Sequence, residues 1–339
     1  MKFPRYAAFA LALSAGQAAH AADLTVTAFG GSWEQAYRKC FVQPFEKRTG
    51  KTVDVILGSP TQWINQISAN PSKPPIDVMV GAVDSGMIAR QRGLVDELTE
   101  KNVPNITQIN PTLLNYGAGY GFPITFGDLG LMYNTDTVKA PPKTWKEFVD
   151  GTIAGKWHAA IPGIAYVATP QGLIAMLAKV YGGDLDNVQP ALDQIKRMRD
   201  SGNVTFYNDP NTPLASLRQG DIDIAMYFDG RAWAEHDAGA PMIGYLNPEP
   251  GAVAFPNLVQ KVKNGSPLGW DFVNDLAGAE GQACFANAML YAASNKNVKY
   301  DPKVEPRVAV AEKSVWFPSD KIVANTPKWI EMWNKQIGR

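Results

Sequence analysis

The amino-acid sequence predicts an α/β protein with two domains, and three observations support this class. Apolar segments of strand length alternate with segments of helical spacing, which predicts parallel strands with helices on both faces of the sheet. The length of 339 residues exceeds the roughly 250–300 residues that a single hydrophobic core usually serves. A content of 45% hydrophobic and 19% charged residues is typical of a folded globular protein.

The N-terminal residues are typical of a secretory signal peptide. Lys2 and Arg5 accompany an apolar run that ends near Ala15, and residues 19–21 match the small-x-small cleavage pattern. The run is shorter than the roughly 20 residues that span a bilayer. We therefore expect residues 1–21 to be removed and the mature protein to act in the periplasm.

The charge of the mature chain excludes one class of partner. Of the 32 basic residues two lie in the predicted signal, which leaves 30 Lys and Arg against 32 Asp and Glu, a net charge of −2. Nucleic-acid-binding proteins usually carry a basic patch, which this balance does not favour. The sequence therefore predicts no nucleic-acid partner.

The first strand is predicted at residues 24–29 and ends at Gly30, Gly31 and Ser32. Apolar residues at helical spacing from 33 to 45 predict the next helix. Ser32 and Gln35 form an expected capping box at its start, and Pro44 is expected to kink it.

Two more strand-loop-helix units follow, with strands predicted at 52–57 and 76–80. In open parallel sheets, ligands bind beyond the carboxyl ends of the strands. The loops that leave the three strands are therefore predicted to line a ligand cleft. These loops are residues 29–33, 58–63 and 81–85.

The apolar, glycine-rich segment 121–134 is predicted to cross into a second lobe, where the alternation resumes. Thr144 and Glu147 cap a helix, and Thr169 with Pro170 opens another. The other predicted elements are strands at 157–161, 222–228 and 253–259, helices at 188–198 and within 267–292, and a C-terminal helix ending near 336. We expect one lobe to comprise 22–127 with 253–305 and the other 128–252 with 306–339.

Two cysteines, Cys40 and Cys284, lie in helical patterns assigned to the same lobe. An even number of cysteines in an oxidising compartment permits a disulfide. A structural bridge is favoured over two separate buried thiols. A catalytic cysteine is disfavoured, because His158 and His236 lie near neither cysteine in the sequence.

Enzyme signatures are missing from the sequence. Residues 151–156 are one residue too short for a phosphate-binding P-loop. There is no G-x-S-x-G or H-E-x-x-H motif, and the scattered histidines and cysteines do not build a usual zinc site. The sequence favours a binding protein over an enzyme and predicts no metal and no cofactor.

Several short segments occur in a distinctive order. They are residues 29–33 (FGGSW), 45–50, 53–57, 77–80, 127–134 with Asp136, 144–145 and 220–221. Together they resemble the extracellular solute-binding proteins (family 1) of ABC importers, in the group that includes spermidine/putrescine-binding periplasmic proteins. The resemblance covers nearly the whole mature chain. It implies a two-lobed periplasmic-binding-protein fold of type II, a ligand cleft between the lobes, and a monomer that closes over its solute and docks on the transmembrane permease subunits.

The ligand is less well indicated than the family. Polyamine-binding relatives carry a Trp-x-Asp on the strand that returns to the first lobe, where this chain has Phe255 and Asn257. Together with Arg231, the missing carboxylate favours an amino-acid-like solute with one amine and one carboxylate over a polyamine. The alternatives are an organic or phosphorus oxyanion, bound at the helix starts near Ser32 and Thr169, and a periplasmic enzyme on the same fold.

The candidate ligand-binding residues come from the strand exits and the crossover. Trp33 could form an aromatic wall or pack at its helix start, and Asp84 could contact an amine or cap its helix. Asp128 is a charge in an apolar segment, so it needs a ligand ammonium or an arginine as partner. Asp229 and Arg231 could pair with each other or with the two ends of a ligand. The remaining candidates are Ser32, Ser59, Tyr166, Thr169, Tyr227, Trp233 and Phe255.

Overall fold

The computed structural model describes residues 22–166 and 169–338, which form a ten-stranded mixed sheet flanked by helices. The strands are β1 (Leu24–Ala28), β2 (Val53–Leu57), β3 (Val78–Ala82), β4 (Phe122–Asn134), β5 (Ala159–Pro162), β6 (Val204–Tyr207), β7 (Ile224–Phe228), β8 (Ile243–Leu246), β9 (Val253–Lys261) and β10 (Ala292–Ala293). The predicted signal segment lies outside the described residues. The α/β class predicted from the alternation is confirmed.

Helices precede and follow most strands. They are α1 (Ser32–Tyr37), α2 (Gln43–Thr49), α3 (Pro60–Ala69), α4 (Val83–Gln91), α5 (Pro111–Tyr116), α6 (Trp145–Ile153), α7 (Thr169–Val180), α8 (Gln189–Asp200), α9 (Thr212–Gln219), α10 (Asp229–Asp237), α11 (Leu268–Leu276), α12 (Ala279–Met289) and α13 (Ser319–Gln336). Among the described residues, no helix combines the length and the apolar character needed to cross a membrane.

The sheet consists of two parallel groups joined by an antiparallel pair. Its order is β2-β1-β3-β9-β4-β7-β5-β6. Strands β1, β2 and β3 are parallel, and so are β5, β6 and β7. Between the groups, β4 and β9 run antiparallel to each other and to their outer neighbours. The two long strands therefore carry the chain between the halves of the molecule.

Buried side chains form separate clusters on the two sides of this pair. The cluster beside β1 contains Tyr37, Phe45 and Phe272, and a smaller one around Trp63 packs against the same half. The cluster beside β5 contains Trp145 and many helical residues of the second half.

The C-terminal segment contributes to both halves. Ala309 and Ala311 belong to the cluster of the first half, whereas Trp329 and Trp333 belong to that of the second. Helix α13 packs against α4 as well as against α7 and α8. The exact residue boundaries of the two lobes remain a prediction.

The start of the first helix differs from the prediction. Gly31, with a φ of 76°, is the residue before the helix, and no side chain caps it, so the predicted box of Ser32 and Gln35 is wrong. A capping box forms instead at α3, between Ser59 and Gln62. The predicted cap at Thr144 is confirmed, since its hydroxyl accepts the Glu147 amide at 3.0 Å.

The expected kink at Pro44 is replaced by a different irregularity. A π-helical turn at Arg38–Val42 joins α1 directly to α2, and Pro44 stands in the first turn of α2. Pro44 cannot donate a backbone hydrogen bond to the turn before it, and the chain departs from α-helical geometry at this point.

The predicted disulfide between Cys40 and Cys284 is confirmed, with 5.5 Å between the Cα atoms. It links the π-helical turn to α12. On the same side, the Trp33 ring stacks on Tyr37 at 5.0 Å between centroids and meets Phe285 edge-on at 5.0 Å. The disulfide and the aromatic rings together fix α1 and α12 side by side.

Removal of this disulfide should destabilise the protein. For the double variant Cys40→Ser and Cys284→Ser, we expect the free energy of unfolding to fall by about 2–5 kcal/mol, since the bridge closes a long loop in the unfolded chain. Urea denaturation followed by circular dichroism measures this change. Wild-type protein kept in reductant serves as the control and should lose the same amount. An unchanged denaturation midpoint in both would contradict a stabilising role.

Candidate functional site

A cavity of about 500 Å³ opens between the two halves of the sheet, at the ends of several strands. This volume lies in the range typical of small-molecule sites. Its walls come from both halves of the molecule. The lining residues are Phe29, Gly30, Ser32, Trp33, Gly58, Ser59, Pro60, Ala82, Gly127, Tyr166, Leu214, Phe228, Gly230, Arg231, Ala234, Glu235, Phe255, Asn257, Ala288, Met289 and Tyr291.

Aromatic rings form much of the cavity wall. Trp33, only 7% exposed, meets Phe29 edge-on at 5.4 Å. From the opposite side, Phe228 meets Phe255 at 5.2 Å. Trp33 packs at its helix start and also lines the cavity. Such rings suit the apolar part of a solute or a cationic group lying over a ring face.

Arg231 is a cation in the cavity wall. It lies on α10, and its guanidinium donates to the Asn211 side chain at 2.9 Å. Tyr227 lies near enough to the guanidinium for the positive charge to act on its hydroxyl, which donates to the Pro210 carbonyl. No carboxylate of the described residues forms a salt bridge with Arg231.

The acidic residue nearest to Arg231 along the cavity wall is already neutralised. Glu235 lies one helical turn further along α10 and forms a salt bridge with Arg218. The guanidinium is therefore a positive charge that forms no salt bridge with any described carboxylate. An arginine in this state is well suited to hold a carboxylate through two parallel hydrogen bonds.

Asp128 and Asp229 lie close together beneath the cavity rather than in its wall. They are 1% and 2% exposed. One oxygen of Asp128 accepts from the Asn247 amide at 2.8 Å, and one oxygen of Asp229 accepts from the Gly230 amide at 2.6 Å. The second oxygen of each has no partner among the described residues.

The environment of this pair favours the protonated forms. Burial raises the pKa of Asp128 to about 6, against the weaker opposing effect of the Ser314 and Asn247 hydrogen bonds. Burial, and then the charge of Asp128, raise the pKa of Asp229 well above its usual range. Burial therefore favours the protonated form of Asp229, and among the described residues Asp229 and Arg231 form no salt bridge.

The predicted site residues fall into two groups. Those that line the cavity are Ser32, Trp33, Ser59, Tyr166, Arg231 and Phe255. Those that do not are Asp84, Asp128, Thr169, Tyr227, Asp229 and Trp233.

Three of the second group face other surroundings. Trp233 lies under the Arg307 guanidinium at 4.9 Å, and Thr169 is buried at the start of α7. Asp84 lies in the first turn of α4 and not at its cap position, which Ala82 occupies, so the predicted N-cap is wrong.

The sequence did not single out Tyr291, although it contacts both halves of the molecule. It follows Leu290, whose φ of 56° is left-handed. Its ring fits between two glycines. A Cβ added at Gly230 would lie 2.6 Å from the ring, and one at Gly127 would lie 2.8 Å from it. The glycines themselves were visible in the sequence, but the ring that requires them was not. Glu235 and Met289 are further lining residues that no motif marked.

Comparison with known proteins places the chain in a family. Residues 41–312 match the family described as bacterial extracellular solute-binding protein. The chain belongs to this family. It is similar to a solved Bordetella parapertussis structure described as an extracellular solute-binding protein, with 26% identity, coverage of 93% of this chain and 98% of the other, and a TM-score of 0.83. No curated protein matches the chain in sequence.

Two more distant structures share the fold. One is the periplasmic binding protein AgtB from Agrobacterium tumefaciens R10, in complex with agropinic acid, with 21% identity, coverage of 94% and 99%, and a TM-score of 0.73. The other is the Atu4243–GABA receptor, with 19% identity, coverage of 92% and 96%, and a TM-score of 0.74. The predicted two-lobed periplasmic-binding-protein fold is confirmed.

Membership of the family establishes the general role. The chain is the extracellular solute-binding component of an ABC transporter, and it is not an enzyme. Its partners are a small-molecule ligand and the transporter permease, and its location is periplasmic.

The buried carboxyl pair gives the protein a measurable pH dependence. The pKa of Asp128 rises from 3.8 to about 6 in the folded state, so this carboxyl favours folding while both states are protonated. Between pH 4 and pH 6 the unfolded chain loses the proton first, and stability falls as the pH rises.

The free energy of unfolding of Asp128→Asn minus that of wild type should therefore increase by about 2–3 kcal/mol when the pH is raised from 4 to 7. Urea denaturation at both pH values gives the two differences, and Asp136→Asn is the exposed control. A difference that stays constant with pH would show that folding does not raise the pKa of Asp128.

Proposed function

We propose that the protein binds an amino-acid-like solute whose carboxylate pairs with Arg231 in the cavity between the lobes. The observation that carries this proposal is the guanidinium in the cavity wall without a salt-bridge partner among the described residues. A ligand carboxylate would supply the missing negative charge. Charge-assisted bonds to arginine are about twice as strong as neutral hydrogen bonds, and the paired geometry adds selectivity.

The rest of the wall fits the uncharged body of such a solute. Aromatic faces of Trp33, Phe255 and Tyr291 surround the space, and burying a methylene group against them contributes about 0.8 kcal/mol. Ser59 lies at the start of the ten-residue helix α3, where amides and the helix dipole favour partial negative charge on the ligand.

A polyamine is disfavoured by the same electrostatics. Its ammonium groups would need carboxylates in the wall, but Glu235 is paired with Arg218 and Asn257 occupies the position where polyamine-binding relatives carry an acid. The cavity instead presents Arg231 to a cationic ligand, and like charges at close range repel.

A phosphorus oxyanion is disfavoured for a different reason. Of the described lining side chains, Arg231 is the one cation that could hold a dianion, and the Glu235 carboxylate lies in the same wall. A singly charged carboxylate matches one guanidinium. The ligands of two similar structures agree in this respect, since agropinic acid is an acid and GABA carries both a carboxylate and an amine.

Transport follows from the position of the cavity. A solute that contacts residues of both lobes favours the closed arrangement, because only that arrangement offers all its contacts. We further propose that residues 1–21 are a cleaved signal peptide and that the mature protein acts as a monomer with lobes 22–127 plus 253–305 and 128–252 plus 306–339.

A thermal-shift screen of unfolded and refolded protein tests the ligand class. The panel holds polyamines, α- and ω-amino acids, simple carboxylic acids and phosphonates. A ligand at 100 times its Kd should stabilise the protein by about 2.7 kcal/mol, which raises the Tm by a few degrees. We expect the shift with amino acids. A shift with polyamines alone would overturn the proposal.

Arg231→Gln then tests the residue. Removing the guanidinium should weaken binding of the best amino acid by about 10- to 150-fold, as for a hydrogen-bonded charge pair. Titration calorimetry measures the Kd, and Arg197→Gln on the exposed face of α8 is the matched control. Equal affinities of Arg231→Gln and wild type would exclude Arg231 as the carboxylate site.

A further inference from the structure

A second, smaller cavity adjoins the main one behind Phe255. Its volume is about 90 Å³, and it shares Ala82 and Phe255 with the larger cavity. Its other walls come from both halves of the molecule and from the C-terminal helix. They are Val83, Asp84, Tyr116, Leu129, Gly172, Val253, Ala254, Pro256, Phe317, Ser319 and Ile322.

The chemistry of these walls is unusual for a packing void. Three aromatic residues, Tyr116, Phe255 and Phe317, line the cavity together with the carboxylate of Asp84. The Tyr116 hydroxyl is already committed, since it donates to the Phe317 carbonyl at 2.7 Å. Apart from the Ser319 hydroxyl, the other lining side chains are apolar. Among the described residues, Asp84 is therefore the one charged side chain in this wall.

Asp84 has hydrogen-bond donors but no counterion. One of its oxygens accepts from the Ser85 amide at 2.7 Å and from the Ser85 hydroxyl at 3.2 Å. None of the described lysine, arginine or histidine side chains forms a salt bridge with it. Burial raises its pKa despite the Ser85 bonds. A carboxylate in this state gains free energy when a cation enters the cavity.

We propose that the cavity behind Phe255 is a subsite for a small ammonium group, which pairs with Asp84 and lies against the aromatic faces. A carboxylate combined with aromatic rings is the usual arrangement for recognising an ammonium ion. The volume of about 90 Å³ is well below the roughly 300–1,000 Å³ of sites for whole drug-sized ligands, so it suits a small group such as an ammonium with one or two methylene groups.

This subsite deepens the proposed function and rests on it for the other end of the ligand. Arg231 lines only the larger cavity and Asp84 only the smaller one, with Phe255 between them. The two charges of the solute must therefore be separated by several bonds. This geometry favours an ω-amino acid over an α-amino acid, whose amine and carboxylate share one carbon atom.

Pairs of ligands that differ only in the amine separate its contribution to the binding affinity from that of the carboxylate. Each ω-amino acid from 3-aminopropionate to 6-aminohexanoate is titrated beside the acid that lacks its amine. In Asp84→Asn, affinity for the best ω-amino acid should fall by about 10- to 100-fold, a typical loss for a charged hydrogen bond. Affinity for the amine-free acid should stay unchanged. Asp54→Asn, an exposed change in the same half, should alter neither value.

Equal effects of Asp84→Asn on both members of a pair would overturn the subsite. If this variant does not fold, Phe317→Leu replaces it, because it removes one aromatic face without changing a charge. It should weaken binding of the amino acid only. Loss of affinity for the amine-free acid to the same degree would again overturn the subsite.

A second experiment does not depend on the proposed ligand class. The Asp84 carboxyl carbon is followed by NMR in protein labelled with ¹³C-aspartate, and the spectrum of Asp84→Asn assigns the signal. Methylammonium should lower the pKa of Asp84, since a nearby cation favours the charged form. The same amount of sodium should leave it unchanged. If Asp84 titrates identically with both salts, the subsite is overturned, whatever the thermal-shift screen shows. If methylammonium lowers the pKa of Asp84 but no amino acid stabilises the protein in the screen, only the proposed carboxylate site at Arg231 is rejected.

Discussion

The structure depends first on the antiparallel pairing of β4 with β9. These strands pair from Phe122 with Val259 to Leu129 with Val253, and each also borders one parallel group of the sheet. A residue on this pair therefore lies between the two halves. Phe255 is such a residue, and it lines both cavities.

The charged residues near the β4–β9 pair differ in whether they border a cavity. Asp128 and Asp229 have each other as neighbours, and two carboxyls in a low-dielectric site cannot both ionise cheaply. Burial beneath the cavity raises the pKa of both carboxyls, and neither side chain lines the cavity. Arg231 and Asp84 form no salt bridge among the described residues, and each borders space that a small molecule can enter. A charged ligand can therefore form a stabilising ion pair with Arg231 or Asp84, but not with Asp128 or Asp229.

Local patterns predicted much of this arrangement. Strand-length apolar runs and glycine loops predicted β1, β2 and β3 with their exits, which supply Ser32, Trp33 and Ser59 to the cavity wall. Two cysteines in an exported chain predicted the bridge to α12. The strand exits could be predicted because the pattern that marks them lies within a few residues. The disulfide could be predicted because an exported protein folds in an oxidising compartment.

The missing parts depend on contacts between distant segments. Tyr291 reaches the wall because Leu290 adopts a left-handed conformation and because Gly127 and Gly230 leave room for the ring. The hydrophobic periodicity of the sequence predicts neither the conformation of Leu290 nor the contact of the ring with the two glycines. Glu235 lies on the same helix as Arg231, yet its pairing with Arg218 of α9 decides its role. Asp128 seemed suited to an ammonium from its apolar neighbours in sequence, but those neighbours are also what bury it beneath the cavity.

The position of the two unpaired charges explains why one small solute can control a large motion. A ligand shifts a conformational equilibrium only by the difference between its affinities for the two states. A change from 1% to 99% closed needs a difference of about 5.5 kcal/mol. One hydrogen-bonded charge contributes about 1.5–3 kcal/mol, so a single ion pair falls short. Two such contacts reach the required range, provided that neither is complete while the lobes are apart. Arg231 on α10 and Asp84 on α4 belong to opposite halves, so a solute long enough to reach both completes its contacts only when the lobes close.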